Sequence, residues 1–171
     1  MEFEVLGWPP DGPTLDLDHR EFSYAGKFVM SNTGKAVVRD GDSVVAAAAF
    51  NEDRTDESTL WIRYITTRKD RRGDGIGPRL ADFVASAAED AGYDRIRIAV
   101  NNPFAYRALY KAGFGYTGET TGIAEVVLER PCDRDAERYR AGLDEFRGRE
   151  GLTESERALL DEASEPPESV E

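Results

Sequence analysis

The stretch Thr66-Thr67-Arg68-Lys69-Asp70-Arg71-Arg72-Gly73-Asp74-Gly75-Ile76-Gly77-Pro78 constrains this chain more than any other. It follows an apolar run, Leu60-Trp61-Ile62-Arg63-Tyr64-Ile65, that predicts a buried strand. It precedes Leu80, Phe83, Val84, Ala87, Ala88 and Ala91, whose spacing predicts an amphipathic helix. A strand, a loop with three glycines and a helix start together make an anion site. Glycine lets the backbone turn its N–H groups inward, and a helix N-terminus adds free donors and partial positive charge. Pro78 suits a first helical turn, where its missing N–H is no loss. A ligand carrying phosphates is expected.

Two common phosphate loops do not fit. A Walker loop needs Gly-x-x-x-x-Gly-Lys-Ser/Thr, which is absent. A dinucleotide fingerprint needs Gly-x-Gly-x-x-Gly directly after its strand, and here Pro78 holds the place of its last glycine. After the next predicted strand, Arg95 to Val100, stands Asn101-Asn102 rather than a ribose-binding acid. What remains is Arg72-x-x-Gly75-x-Gly77, with Gly73, Asp74 and Ile76 between the marked positions. A second segment is Asn102-Pro103-Phe104-Ala105-Tyr106-Arg107-Ala108-Leu109-Tyr110-Lys111-Ala112-Gly113-Phe114. Its local physics reads as a helix: Asn102 a good N-cap, Pro103 a good first residue, Gly113 a left-handed stop.

Together the two segments resemble the GCN5-related N-acetyltransferase (GNAT) superfamily. The first looks like its acyl-CoA pyrophosphate loop, the second like its Asn-x-x-Ala-x-x-x-Tyr-x-Lys-x-Gly-Phe segment. The resemblance runs from about Gly34 to Leu128. It implies an α/β fold with a mixed α+β sheet and splayed central strands, and acetyl-CoA as acyl donor. It also implies direct attack of a primary amine, from a small molecule or a peptide, on the thioester. On that resemblance the CoA-binding set is Ile65, Thr66, Thr67, Arg72, Gly73, Asp74, Gly75, Ile76, Gly77, Asn102 and Tyr110. Tyr110 falls at the position of the usual general acid, although a core aromatic is its other reading. One branch of the family has a glutamate base eleven residues before the loop's first marked residue. Trp61 stands there instead. Glu52, Asp53, Glu57, Glu119 and Glu125 are the remaining candidates, each equally readable as a surface acid. A catalytically silent acyl-CoA-binding module is the alternative function.

Composition bounds the rest. With 171 residues, 40% of them hydrophobic, the chain can bury one core, and a domain over residues 1–130 with a helical extension over 131–171 is expected. No 18-residue apolar run and no signal-peptide order are present, so a cytoplasmic protein without membrane attachment is expected. One cysteine, Cys132, excludes an internal disulfide, and one histidine, His19, leaves no credible zinc set, so no metal is expected. Net charge is −12, and only 4 of 22 basic residues are lysine. Such a surface repels nucleic acid and anionic membranes, and it reads either as a general solubility device or as adaptation to high salt, where screening shortens carboxylate repulsion to about 3 Å at 1 M. Against it, Arg68, Lys69, Arg71, Arg72 and Arg79 form the densest basic cluster, beside the glycine loop.

Elsewhere a short first strand spans Phe3 to Leu6, and a hairpin joins Lys35–Arg39 to Ser43–Phe50 about Asp40-Gly41-Asp42. Residues 14–33 give no clear pattern. The resemblance implies one or two helices there, and Tyr24 and Phe28 read as pocket or core. A last strand is expected over Ile123 to Leu128. Beyond it Ala136, Tyr139, Leu143 and Phe146 form a helical stripe that must dock, either on the domain or on a second copy in a homodimer. Thr153 and Glu156 make a capping box for a further helix, and the acidic end from Glu165 reads as disordered.

Overall fold

The computed structural model describes residues 1–162 and 165–168 as seven strands and four α-helices of a mixed α/β fold. It divides into two compact units, residues 1–96 and 97–171. Of the acidic end expected to be disordered, residues 169–171 lie outside the described residues, as do residues 163–164 before it.

In the first unit β1 (Glu2–Gly7), β2 (Gly34–Asp40), β3 (Ser43–Glu52) and β4 (Thr59–Thr67) pair in chain order, each antiparallel to the next. The β2–β3 hairpin closes at Asp40 opposite Ser43, with Gly41 at φ 63°, the left-handed geometry that an Asp-Gly turn supplies. The alanine-rich β3 is buried on both faces. One face packs Ala47, Ala49 and Val37 against Phe28. The other takes helix α1 (Ile76–Asp90), which contacts β1 to β4. Its buried face is Ile76, Leu80, Ala81, Val84, Ala85 and Ala88. The expected stripe was therefore half right: Phe83 leaves the core face and stacks on Phe3, ring centroids 5.6 Å apart.

Residues 14–33 do not form the helices that the resemblance implies. They wind through turns and a single 3-10 helix, Ala25–Val29, around Gly26. Phe28 is its core anchor, and Tyr24 is left exposed at φ 62°.

The second unit opens within β5 (Arg95–Val100), at Arg97, and continues through α2 (Pro103–Lys111), β6 (Gly115–Thr120) and β7 (Val126–Arg130). The last strand starts three residues later than expected. Thr121 takes the Glu125 N–H on its hydroxyl, closing a turn that leaves Ile123 79% exposed and Ala124 at φ 64°. Helix α3 (Ala136–Arg147) is capped by Asp135, whose carboxylate accepts the Arg138 N–H at 2.8 Å. Its Tyr139, Leu143 and Phe146 are buried, with Tyr139 and Phe146 against the ring of Tyr106. Gly142 is required there: a Cβ would stand 2.1 Å from the Tyr106 hydroxyl. Helix α4 (Glu154–Glu162) opens on the expected capping box, with Thr153 and Glu156 exchanging bonds of 3.0 and 3.1 Å. Among the described residues no helix is long and apolar enough to cross a membrane.

Candidate active site

The first unit carries the phosphate-loop candidates together. Ile65, Thr66 and Thr67 end β4, past a bulge: Ala49 faces Tyr64 while Phe50 faces Ile62, so Arg63 is the extra residue. Bulges of this kind re-aim the strand beyond them. Thr66 is buried, and its hydroxyl finds no partner among the described residues. A tight turn at Lys69–Arg71 follows, held by the Lys69 N–H on the Glu21 carbonyl at 2.9 Å.

The loop itself is exposed and bent by two left-handed glycines, Gly73 at φ 91° and Gly75 at φ 76°. Gly75 is the N-cap residue of α1, and no side chain caps that helix start. The N–H groups of the first turn are therefore presented at a surface with partial positive charge. Gly77 passes Thr67 closely enough that a Cβ would sit 3.5 Å from its hydroxyl.

The basic cluster separates into two groups. Arg68 pairs with Asp70 at 2.6 Å, and Arg71 bridges Asp40 and Asp74 at 2.9 and 3.3 Å. Lys69, Arg72 and Arg79 make no ion pair among the described residues. Arg72 instead donates to the Ser23 hydroxyl at 2.8 Å, tying the irregular 14–33 segment to the loop. Ser23 carried no sequence signal, because a lone serine in a patternless stretch is indistinguishable from turn filler.

In the second unit Asn102 is a helix cap in fact: its side-chain oxygen accepts the Ala105 N–H at 2.9 Å. Tyr110, the last residue but one of α2, is 7% exposed. Its hydroxyl donates to the Arg134 carbonyl at 2.5 Å, and the Arg134 guanidinium lies 4.1 Å over its ring. Tyr106 is fully buried, donates to the Tyr139 carbonyl at 2.8 Å, and has its phenol pushed up by burial. The Cys132 thiol is likewise pushed up by burial, which disfavours the reactive thiolate.

The base candidates are scattered and engaged. Trp61, at the position of the missing glutamate, donates its indole N–H to Asp53 at 2.7 Å. That bond, with two more from Thr55, holds Asp53 at a pKa of about 2, far too acidic for a general base. Glu52 accepts from the Tyr93 hydroxyl, Glu119 pairs with Arg97, Glu125 accepts from Thr121, and Glu57 is exposed. Among the described residues no three of His, Cys, Asp or Glu group as metal ligands.

A strand, a glycine loop and an uncapped helix start, following in that order, make a site suited to an anion such as a phosphate. The sequence matches the Acetyltransferase (GNAT) family over residues 2–116, two thirds of the chain, and the protein belongs to that family. An acetyltransferase of Bacillus subtilis, solved in complex with CoA, shares the fold with a TM-score of 0.61. It is 16% identical over 74% of this chain and 95% of its own. Nourseothricin acetyltransferase is 15% identical over 77% of this chain and 98% of its own, with a TM-score of 0.52. A Salmonella typhimurium protein solved with acetyl-CoA is 16% identical over 60% and 66%, also with a TM-score of 0.52. At these identities the likeness is one of fold. No curated protein sequence matches the chain.

Proposed function

We propose that this GNAT protein transfers the acetyl group of acetyl-CoA to a primary amine by direct attack. The observation that carries the reading is the loop from Arg72 to Gly77, with its left-handed glycines and uncapped helix start, beside Lys69, Arg72 and Arg79, which make no ion pair among the described residues. Its amides suit a pyrophosphate, and the end of β4 at Ile65, Thr66 and Thr67 suits the pantetheine arm. The neutral amine attacks the thioester carbonyl, the C–S bond breaks, and Tyr110 gives its phenolic proton to the leaving thiolate. Solvent takes the proton of the new ammonium and returns one to the phenolate.

With no well-placed base among the described residues, the acceptor's own pKa matters. An amine of pKa 10.4 is about 0.04% neutral at pH 7, and an α-amine of 7.7 about 17%. The reading therefore favours a low-pKa amine or a water-relayed base. Residues 1–130 act as the catalytic domain, 131–171 as its helical extension, in a salt-rich cytoplasm where the −12 charge keeps the protein soluble and away from nucleic acid.

The second reading, a silent acyl-CoA-binding module, draws on the engagement of the Tyr110 hydroxyl with Arg134. Release of free CoA thiol with a panel of amines separates the two. Tyr110→Phe removes only the hydroxyl and should lower kcat by about 10²–10⁴-fold with CoA affinity kept. Tyr106→Phe is the control and should keep near-normal kcat. Retention of more than half the wild-type kcat by Tyr110→Phe would remove Tyr110 from the mechanism.

A further inference from the structure

The hydroxyl proposed as the acid has one proton, and that proton is spoken for. Tyr110 donates it to the backbone carbonyl of Arg134, at 2.5 Å. Arg134 returns the contact: its guanidinium donates to the Tyr110 carbonyl at 2.5 Å and to the Phe114 carbonyl at 3.3 Å, and stacks on the Tyr110 ring. The edge of that ring is closed by Tyr139 of α3, centroids 4.6 Å apart. The Arg134 carbonyl is available for this because it lies just outside the α3 ladder. The first helical bond goes to Asp135, whose carbonyl accepts the Tyr139 N–H at 3.0 Å. Docking of α3 thus delivers a spare acceptor onto the one phenol that the chemistry needs.

We propose that the segment leading into α3 is an autoinhibitory latch, in which the Arg134 carbonyl holds the Tyr110 proton and Arg134's side chain clamps the pair. This rests on the reading of Tyr110 as general acid. While the latch is closed the phenol has no proton to give, and the leaving thiolate must wait for one from water. When the segment lifts, the O–H bond of Tyr110 is free to turn and donate to sulfur. Arg134 and Tyr139 lie beyond the stretch matching the family, residues 2–116, and Tyr110 and Phe114 lie within it, so the extension supplies the holding half of the device.

The test is a double-mutant cycle read by CoA-thiol release, with kcat and KM measured for the full chain, Arg134→Ala, Tyr110→Phe and the double variant. Arg134→Ala removes the clamp and should raise kcat about 2- to 10-fold, the worth of one net hydrogen bond, with KM for acetyl-CoA unchanged. In the Tyr110→Phe background the same substitution should change nothing. Arg134→Lys keeps the charge but loses the planar guanidinium that lies over the Tyr110 ring; it should fall between, and it replaces Arg134→Ala in the cycle if that variant melts early. A kcat that is unchanged or lower in both Arg134 variants, or raised equally in both backgrounds, overturns the latch. A Tyr110→Phe enzyme with full kcat overturns the acid assignment itself, and the latch with it.

Discussion

The two compact units use arginine in opposite ways. In the first, arginines pair with carboxylates at the surface: Arg20 with Asp18, Arg39 with Glu4, Arg68 with Asp70, Arg71 with Asp40 and Asp74. Exposed pairs of that kind contribute about 0–1 kcal/mol each. In the second, arginines from the C-terminal half reach backbone carbonyls. Arg130 donates to Ala112, Arg134 to Tyr110 and Phe114, Arg138 to Tyr116, and Arg147 to Leu160. Ala112, Tyr110 and Phe114 lie at the C-terminal end of α2, where helix carbonyls lack partners and the dipole is negative. A charge-assisted bond there contributes about 1.5–3 kcal/mol. Arg97, paired with Glu129 at 2.7 Å, and Arg147, which also pairs with Asp144, are partial exceptions. The contrast separates two ways of building a functional surface. The anion site proposed for the first unit is made of backbone, with Arg68, Arg71 and Arg72 on the stretch that leads into it. The second unit's tyrosine helix is held in shape by side chains from the extension.

The sharpest way to break the first half of that contrast is Gly75→Asp. The site of a new Cβ there meets no atom within 4 Å, and Asp tolerates a left-handed backbone, so folding should survive. The carboxylate would face the bound pyrophosphate. Loss of two charge-assisted bonds, each about 1.5–3 kcal/mol, should weaken CoA binding more than ~100-fold. Gly75→Asn, with the same shape and no charge, should lose far less. Calorimetry giving Gly75→Asp the wild-type Kd would refute a backbone-built anion site.

The second half is tested by stability. Phe146 is fully buried and packs edge-on against Tyr106, centroids 5.8 Å apart. Phe146→Ala should cost about 3–5 kcal/mol in denaturant unfolding. A loss under about 1 kcal/mol would make α3 a loose appendage, and the arginine–carbonyl bonds merely decorative.

Much of this was legible in the chain, for local reasons. The Asp-Gly turn, the Asn102 cap, the Thr153–Glu156 box and the left-handed glycines are each specified by residues within a few positions. The stripe on α3 was legible because burial imposes a period. What could not be read was set by partners distant in sequence. Phe83 left the α1 core face for Phe3, 80 residues away, and the Arg63 bulge arises only where β3 and β4 are paired. No local pattern marks Arg134, whose guanidinium donates to the Tyr110 carbonyl and lies over the Tyr110 ring. Asp53 had the composition of a base and, through Trp61, the wrong pKa for one.

Salt distinguishes the two uses of arginine directly. Arg71 is 24% exposed and its partners Asp40 and Asp74 are more than half exposed, so the pairs are open to screening. Arg71→Ala should cost at most about 1 kcal/mol at 0.1 M KCl and nothing measurable at 2 M. Arg130→Ala removes a part-buried bond to the Ala112 carbonyl and should cost about 1.5–3 kcal/mol at both. The wild-type Tm should rise over the same range as repulsion within the −12 charge is screened. A flat or falling Tm would count against salt adaptation, and equal salt sensitivity of the two variants would erase the contrast.

The smallest expected effect concerns a carboxylate of the first unit that is held by neutral donors. Asp53 sits at a pKa of about 2, chiefly because the Trp61 indole donates to it, with Thr55 adding its N–H and hydroxyl. The folded value is below the unfolded one, near 3.9. Its stabilisation is therefore fully present above about pH 4 and is lost as pH falls through about 2. Trp61→Phe keeps an aromatic ring for Arg63, whose guanidinium lies 4.9 Å from the Trp61 ring, and removes only the main donor. The Asp53 midpoint, followed by carboxyl carbon NMR, should move up from about 2 toward, without reaching, 3.9, since Thr55 still donates. Activity should not change, because a carboxylate this acidic does not serve as base in either protein. A midpoint unmoved by the substitution would show that Thr55 alone holds Asp53. A kcat that fell with it would place Asp53 or Trp61 in the acceptor's path after all.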